Sequence, residues 1–360
     1  MIIGVPTIIG GKDKYKIIIT ADTGATITLS KSGTTYTTTE DNGTWTFEVP
    51  ETGTYTITAV MGTDTATLSV VVQDTTVVIP SQTLEDNSWA VISEVSVAGT
   101  GDTYWDIGDT KQIVLDGLVG LLTLSSVTLC VYILDFNHGE YGSTDNNIIW
   151  GGFKTSGGID VALCDSRYNL RANAGGLFSM NYYGSDNSNG WAGCDLRYYV
   201  LGSASQDPYT DGSRTTGGDS DLYTIISPRE NTLMAALPAD FRNVLRLRTH
   251  YTDNSGNGAN TQYVFSAIVD AVSLLTVVEV FGTNKFNASY ATTYQTQMAY
   301  YANGNSKVKY KHNEPTTACE WWLADPTVTW TNYFCSCGSD GTSDYGTQNY
   351  CYGLAPVFMT

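Results

Sequence analysis

Trp45-Thr46-Phe47-Glu48-Val49 alternates apolar and polar side chains, which places Trp45, Phe47 and Val49 on one face of a strand. Residues 54–60, Thr-Tyr-Thr-Ile-Thr-Ala-Val, repeat this alternation. The turn signals Asp-Asn-Gly at 41–43 and Glu-Thr-Gly at 51–53 stand before the two runs. Period-two alternation between such turn signals predicts antiparallel strands with one buried face.

The first 80 residues contain further runs of this kind at 15–20, 25–30, 34–38 and 66–72. Six or seven short strands in a segment of this length are typical of a small Ig-like β-sandwich, which we predict for residues 1–80. Pro80 and the polar residues after it mark a boundary, and we predict a linker at 81–88.

From residue 89 to residue 360 the composition differs, because Gly, Asn, Tyr and Trp become common. The pattern at 290–303 predicts a helix that ends before Gly304, and the apolar run at 272–281 predicts a strand. Few helices, short strands and long polar loops indicate a second domain over 89–360.

The chain of 360 residues has 18 Lys and Arg against 36 Asp and Glu, a formal net charge of −18. An acidic surface repels phosphate groups, which argues against binding to nucleic acid or anionic lipid. The sequence contains no run of about 18 apolar residues, so we expect no membrane insertion. The N-terminus lacks the basic residues of a signal peptide, so we expect a cytosolic protein or one released by lysis.

Residue types that carry catalysis or bind metals are sparse. Residues 135–140, Asp-Phe-Asn-His-Gly-Glu, are either a metal or acid–base cluster or a polar hairpin loop, and the loop is the favoured interpretation. Loops at 185–190, 218–221 and 252–258 offer oxygen ligands for calcium without EF-hand spacing, and turn chemistry is favoured there. We therefore expect no cofactor and no metal, with Ca²⁺ as the alternative.

The seven cysteines include no CxxC pair, which argues against a zinc framework. We expect reduced thiols that pack as small apolar side chains.

The last forty residues have a distinct composition, because no Lys, Arg, Glu or His occurs from Trp321 to Thr360. The middle of this stretch consists mostly of Tyr, Asn, Ser, Thr, Asp, Gly and Cys. Tyr and Trp supply rigid contact area in binding loops, and the short polar residues supply hydrogen bonds. The segment is either a binding surface or an ordinary polar β-hairpin with a turn at 339–341.

Six blocks of sequence resemble a known family. They are Tyr104-Trp-Asp-Ile-Gly-Asp, Trp191-Ala-Gly-Cys-Asp-Leu-Arg, Leu233-Met-Ala-Ala-Leu-Pro, Val278-Glu-Val-Phe-Gly, Trp321-Trp-Leu and Gly353-Leu-Ala-Pro-Val-Phe. Together they resemble the C-type-lectin-like, formylglycine-generating-enzyme-like domains of gut bacteria and their phages. The resemblance implies an α+β domain with long loops at 89–360. It also implies that 327–352 is similar to the variable regions of diversity-generating retroelements, with Trp330 and Gln348 as fixed positions.

The resemblance implies a phage virion protein, associated with tail or capsid, which binds a host receptor and is no enzyme. Its expected partners are a host cell-surface protein or glycan, other virion proteins and copies of itself, as a trimer by analogy. One alternative is a formylglycine-generating-like enzyme, whose two-thiol chemistry would use Cys335 and Cys337. The other is a bacterial cell-surface adhesin, which would need an export signal.

We expect exposed side chains of the segment 327–352 to contact the ligand. They are Trp330, Asn332, Tyr333, Ser336, Ser339, Asp340, Asp344, Tyr345, Asn349, Tyr350 and Tyr352. A buried scaffold should hold the two ends of the segment, and it consists of Trp321, Trp322, Gly353, Pro356 and Phe358.

Overall fold

The computed structural model describes residues 7–9, 15–72, 80–143, 145–169, 178–182, 186–203, 225 and 227–360. The chain divides into two compact units, Met1–Ile79 and Pro80–Thr360. Strands predominate over helices in the described residues, which confirms the expectation of a β-rich chain.

The first unit contains two four-stranded sheets, in the orders β1-β2-β6-β5 and β4-β3-β7-β8. The strands are β1 (Thr7–Ile9), β2 (Tyr15–Thr20), β3 (Thr26–Lys31), β4 (Thr34–Tyr36), β5 (Glu40–Asp41), β6 (Thr44–Val49), β7 (Gly53–Met61) and β8 (Asp64–Val72). Ile17 and Phe47 of one sheet share a single buried cluster with Leu29 and Ile57 of the other. The alternation in the sequence therefore gives each sheet one apolar face, and the two faces form one core.

The second unit contains thirteen of the described strands. They are β9 (Thr110–Val119), β10 (Leu122–Phe136), β11 (Ile148–Lys154), β12 (Val161–Ala162), β13 (Arg248–Asp253), β14 (Phe265–Asp270), β15 (Val272–Leu274), β16 (Lys309–Lys311), β17 (Glu314–Cys319), β18 (Trp321–Pro326), β19 (Tyr333–Cys337), β20 (Ser343–Thr347) and β21 (Pro356–Met359). Its largest sheet has the order β15-β21-β11-β10-β9, and the smaller sheets are β12-β16-β17, β13-β14 and β18-β19-β20.

Six α-helices are described in the second unit, and only the first exceeds five residues. They are α1 (Trp89–Ala98), α2 (Leu233–Ala236), α3 (Ala239–Arg242), α4 (Val277–Phe281), α5 (Ala291–Tyr294) and α6 (Ala299–Ala302). Arg197–Leu201 adds one π-helical turn. No helix in the described part of the chain is long and apolar enough to cross a membrane.

The strand expected at 272–281 is wrong beyond Leu274, because Thr276 starts helix α4. Its hydroxyl accepts from the Glu279 amide, and its own amide donates to the Glu279 carboxylate at 2.7 Å. This reciprocal capping box ends the extended backbone.

The helix expected at 290–303 is also interrupted, between α5 and α6. Gln295 ends α5 with extended backbone, and its Nε2 donates to the Tyr251 carbonyl at 2.9 Å. A buried side-chain contact thus overrides the local helical pattern.

The linker expected at 81–88 is wrong, because this stretch belongs to the second unit. The buried Asn87 amide donates to the carbonyls of Ser81 and Thr83 at 3.0 and 2.9 Å. The indole of Trp105 also donates to the Ser81 carbonyl at 3.0 Å. Residues 73–79 lie outside the described part of the chain.

The C-terminal strand β21 lies inside the largest sheet, between β15 and β11. The indole of Trp150 donates to the Thr360 hydroxyl at 3.0 Å. This central position fixes the chain directly after the segment 327–352.

Candidate functional site

The segment 327–352 is built on the three-stranded sheet β18-β19-β20. Trp321 and Trp322 on β18 are both buried, and their indoles donate to the carbonyls of Lys307 at 3.0 Å and Phe178 at 2.8 Å. Residues 353–358 are buried as well. The burial expected for Trp321, Trp322, Gly353, Pro356 and Phe358 is therefore confirmed.

Strand β19 is the middle strand of this sheet, and both of its faces are covered. Phe334 shares a cluster with Trp322 and Tyr352, whereas Cys335 shares one with Trp321. Gly346 on β20 faces Phe334, and a Cβ there would meet the rings of Tyr352 and Trp322 at 2.5 and 2.9 Å.

The exposure expected for Ser336 and Tyr352 is therefore wrong. Ser336 is buried within β19, and Tyr352 packs on Trp322 with their ring centroids 4.4 Å apart. Neither side chain reaches the surface on which we expected ligand contact.

Four aromatic side chains contact one another beside strands β19 and β20, and we call them the aromatic cluster. They are Trp330, Tyr333, Tyr345 and Phe286. The Trp330 ring lies 4.5 Å from Tyr345 and 5.6 Å from Tyr333, measured between centroids. Phe286 contacts Tyr345 edge-on at 4.7 Å. Trp330 is 38% exposed, while Tyr333 and Tyr345 are partly buried.

A cleft adjoins this cluster through Tyr333. It has a volume of about 260 Å³ and is lined by Tyr333, Thr347, Asn349 and Tyr350. Thr347 pairs with Tyr333 across the β19–β20 ladder, so both side chains lie on the same face. The structure thus brings together Trp330, Tyr333, Tyr345, Asn349 and Tyr350, and it adds Phe286 and Thr347.

The remaining expected contact residues lie elsewhere on the hairpin. Ser339 and Asp340 are exposed in the turn at the far end of β19, roughly 17 Å from Tyr333 for a five-residue strand. The Asp340 carboxylate accepts from the amide and hydroxyl of Thr342, at 3.0 and 2.7 Å. Asp344 and Asn332 are partly exposed. The expected residues therefore form no single continuous surface.

Asn187 holds the loop that carries Trp330, a role that its place in the polar run 185–190 does not predict. Its buried Nδ2 donates to the carbonyls of Tyr333 at 2.8 Å and Trp330 at 3.1 Å. Its main-chain amide donates to the Thr331 carbonyl at 2.7 Å, and its Oδ1 accepts from the Asn257 amide at 2.6 Å. Asn187 is thus a positioning residue for the aromatic cluster.

The polar loops considered for calcium have other contacts in the structure. Asp186 Oδ1 accepts from the Ser188 amide at 3.0 Å, and Asp253 Oδ1 accepts from the amides of Ser255 and Gly256 at 2.9 and 3.1 Å. Such bonds define Asx turns. A Cβ at Gly256 would overlap the Asn187 carbonyl, so the two loops pack backbone to backbone. The loop at 218–221 lies outside the described residues.

The two thiols considered for enzymatic chemistry lie on one face of β19, as their spacing predicts. All seven cysteines are unpaired and buried. Burial raises the pKa of Cys337 to about 12 and holds the pKa of Cys335 well above its usual value. Both are therefore protonated thiols at neutral pH, and the thiolate is the reactive form.

Comparison with known sequences gives a single finding about this region. Residues 166–359 match the sequence profile of the family described as "Domain of unknown function (DUF6273)". No curated protein and no solved structure matches the chain. The matched residues include the sheet β18-β19-β20, Asn187 and the aromatic cluster.

Proposed function

The chain belongs to the DUF6273 family of domains of unknown function, and we propose that it is a binding protein whose ligand contacts the aromatic cluster and the adjoining cleft. The observation that carries the proposal is Trp330, a large exposed aromatic side chain packed on Tyr345 and Tyr333. Trp and Tyr are the residue types that most often dominate binding energy at protein interfaces.

The cleft supports the same function because it places polar groups beside the aromatic rings. The hydroxyls of Tyr333, Thr347 and Tyr350 and the amide of Asn349 offer donors and acceptors that suit a glycan or a polar protein loop. Together with the aromatic rings they resemble the mixed chemistry of antibody binding loops.

The burial of Cys335 and Cys337 favours binding over the two-thiol enzyme considered above. A nucleophilic or metal-binding cysteine needs an accessible thiolate, whereas both thiols lie inside the sheet with raised pKa values.

The proposal extends to the setting of this surface. We infer an Ig-like sandwich in the first unit and a C-type-lectin-like domain in the second. We also infer a phage virion protein that acts as a homotrimer, in which avidity multiplies the affinity of each weak site. Host attachment is the function that this arrangement would serve, with 327–352 as the segment open to diversification.

The test compares three proteins for binding to a glycan array and to intact cells of gut bacteria. They are the wild type, the triple variant Tyr333→Ser/Tyr345→Ser/Tyr350→Ser and Tyr141→Ser. Tyr141 is the control because it lies outside the segment 327–352, and its exposed ring stacks on another tyrosine, Tyr294, at 4.9 Å.

We expect the triple variant to lose at least about thirtyfold in affinity, equivalent to ~2 kcal/mol, while Tyr141→Ser binds as the wild type does. Equal binding by all three proteins, with unchanged thermal unfolding midpoints, would rule out this surface as the binding site.

A further inference from the structure

A second polar site lies away from the aromatic cluster, where three elements meet. Asp135 is near the end of β10, His138 and Glu140 lie in the loop between β10 and β11, and Glu279 lies in α4. The loop is held by Asn147, whose Oδ1 accepts from the His138 amide at 3.0 Å and whose Nδ2 donates to the His138 carbonyl at 2.8 Å. The backbone is therefore the expected hairpin loop, and it presents a buried histidine.

The imidazole of His138 has one ring nitrogen engaged and one open. Its side chain is only 4% exposed, and Nδ1 lies 2.8 Å from Asp135 Oδ2. An ionised carboxylate only accepts hydrogen bonds, so Nδ1 carries a proton, and in the neutral imidazole Nε2 then has the free lone pair. Nε2 is buried and has no hydrogen-bond partner among the described residues.

His138 belongs to a compact set of ligand atoms. One nitrogen of His138 and one carboxylate oxygen each from Glu140 and Glu279 lie within 4.8 Å of one another. Ligand atoms around a tetrahedral zinc ion are about 3.3 Å apart, given bonds of about 2.0–2.1 Å. Small movements at the ends of the three side chains would bring their ligand atoms to this spacing.

Two of these carboxyl groups already have a cationic partner. Arg248 bonds to both Glu140, at 2.5 Å, and Glu279. One buried guanidinium therefore faces two buried carboxyl groups, in surroundings where an uncompensated charge is costly.

The carboxylates of Glu140 and Glu279 keep room for a cation beside Arg248. The second oxygen of Glu140 accepts from the Tyr251 amide at 2.6 Å, and that of Glu279 accepts from the Thr276 amide at 2.7 Å. Each oxygen has two lone-pair positions, and these hydrogen bonds use one of them. A cavity of about 10 Å³, lined by His138, Glu140 and Arg248 among others but not by Glu279, admits nothing larger than a water molecule or a single ion.

We propose that His138, Glu140 and Glu279 bind a divalent transition-metal ion, and that zinc is the ion that fits this donor set best. One imidazole nitrogen and two carboxylate oxygens are a zinc-type combination, with a water molecule in the fourth position. Asp135 is the positioning residue, because a carboxylate on the far ring nitrogen fixes the tautomer of a metal-binding histidine. The ion would tie the β10–β11 loop to α4.

The test uses the full chain, freed of metal by dialysis against a chelator, and titrates it with Zn²⁺ by calorimetry and with Co²⁺ by absorption. The variant His138→Asn keeps a side-chain donor for Asp135 and removes Nε2. The matched control is His312→Asn, because His312 Nδ1 accepts from the Cys164 amide at 3.1 Å and asparagine can replace that acceptor.

We expect one Zn²⁺ per chain for the wild type and for His312→Asn, and at least a hundredfold weaker binding for His138→Asn, consistent with the loss of a ligand. Asp135→Asn should weaken binding about 10–100-fold. The Co²⁺ spectrum should lack the charge-transfer absorption that thiolate ligands produce.

Absence of binding by the wild type would mean that protons neutralise the cluster, and the proposal would be wrong. A thiolate band, or equal affinity for wild type and His138→Asn, would place the ion elsewhere and would also overturn it. If His138→Asn fails to fold, the affinity of Asp135→Asn decides, because an unchanged value would refute the site.

Discussion

Replacing Asn187 with alanine tests whether this one side chain holds the loop that carries Trp330. The amide Nδ2 donates to the carbonyls of Tyr333 at 2.8 Å and Trp330 at 3.1 Å, in a buried position. A buried hydrogen bond contributes about 1 kcal/mol net, and the small cavity left by truncation adds to that. We therefore expect Asn187→Ala to lower the free energy of unfolding by about 2–3 kcal/mol.

The variant Asn187→Asp should be more destabilising than Asn187→Ala. A carboxylate has the same shape but donates no hydrogen bond, so it would face two carbonyl oxygens and carry a buried charge. The matched control is Asn287→Ala, because Asn287 is equally buried while its Nδ2 has no hydrogen-bond partner among the described residues. That control removes only the acceptor for the Lys285 amide, which lies at 3.0 Å.

The assay combines chemical denaturation of the full chain with hydrogen exchange of the loop amides. The amides of Thr327 and Val328 donate to the carbonyls of Tyr333 and Phe286, at 3.1 and 3.0 Å, and report on the loop. A loss of ~2 kcal/mol should speed their exchange about thirtyfold in Asn187→Ala. If Asn187→Ala and Asn287→Ala lose the same stability and leave this exchange unchanged, Asn187 does not hold the loop.

Two further predictions concern the scaffold and a buried acid. Trp322→Ala should lower the free energy of unfolding by ~3–5 kcal/mol, because the buried indole packs on Tyr352 and donates to the Phe178 carbonyl. Trp322→Phe should lower it less. Equal melting temperatures of wild type and Trp322→Ala would contradict the assignment of Trp322 to the scaffold. Burial raises the pKa of Asp325 to about 7, above about 3.9 in an unfolded chain, so its stabilising contribution is complete below about pH 4 and is lost as the pH rises through 7. Asp325→Asn keeps an acceptor for the Val277 amide and should flatten the fall in denaturation midpoint between about pH 4 and about pH 7. An unchanged fall would mean that other groups cause it.

The strands of the first unit could be predicted because their signals are local. The run at 15–20 coincides with β2 (Tyr15–Thr20), and those at 45–49 and 54–60 lie within β6 (Thr44–Val49) and β7 (Gly53–Met61). Each signal needs only the alternation of a few neighbouring residues and a turn on either side. The Ig-like assignment of that unit and the lectin-like assignment of the second stay predictions.

The candidate site could be predicted only in part, because its geometry depends on residues distant in the sequence. Composition identified Trp330, Tyr333 and Tyr345 without Phe286 or Asn187, and Asn187 lies more than 140 residues before Tyr333. No local sequence pattern predicts that a polar side chain will donate hydrogen bonds to two distant main-chain carbonyls. The burial of Ser336 was missed for the same reason, since period-two alternation fails when both faces of a strand are covered.

The metal-binding proposal illustrates the same limit. The residues 135–140 contain His138 and Glu140, but Glu279 and Arg248 join them only through the fold. Asp135, His138 and Glu140 are all potential ligands in this stretch, but a polar hairpin loop explains them equally well. The contribution of Glu279 is found only when α4 is placed against the loop.

The way in which Asn187 holds the loop bears on which positions of 327–352 can vary. Its hydrogen bonds go to main-chain carbonyls of Trp330, Thr331 and Tyr333, so the backbone keeps its path whatever side chains stand there. Substitution of the exposed or partly exposed side chains of this loop should therefore change the proposed binding surface without removing its support.

Buried positions of the hairpin lack this freedom. Ser336 lies inside the sheet, Gly346 has no space for a Cβ beside Tyr352 and Trp322, and Tyr352 packs on Trp322. If the segment is diversified as we propose, variation should concentrate at partly exposed positions such as Asn332, Tyr333 and Tyr350, and it should avoid these buried ones. A surface whose side chains vary over a backbone fixed from outside the segment can change its ligand while the fold stays the same.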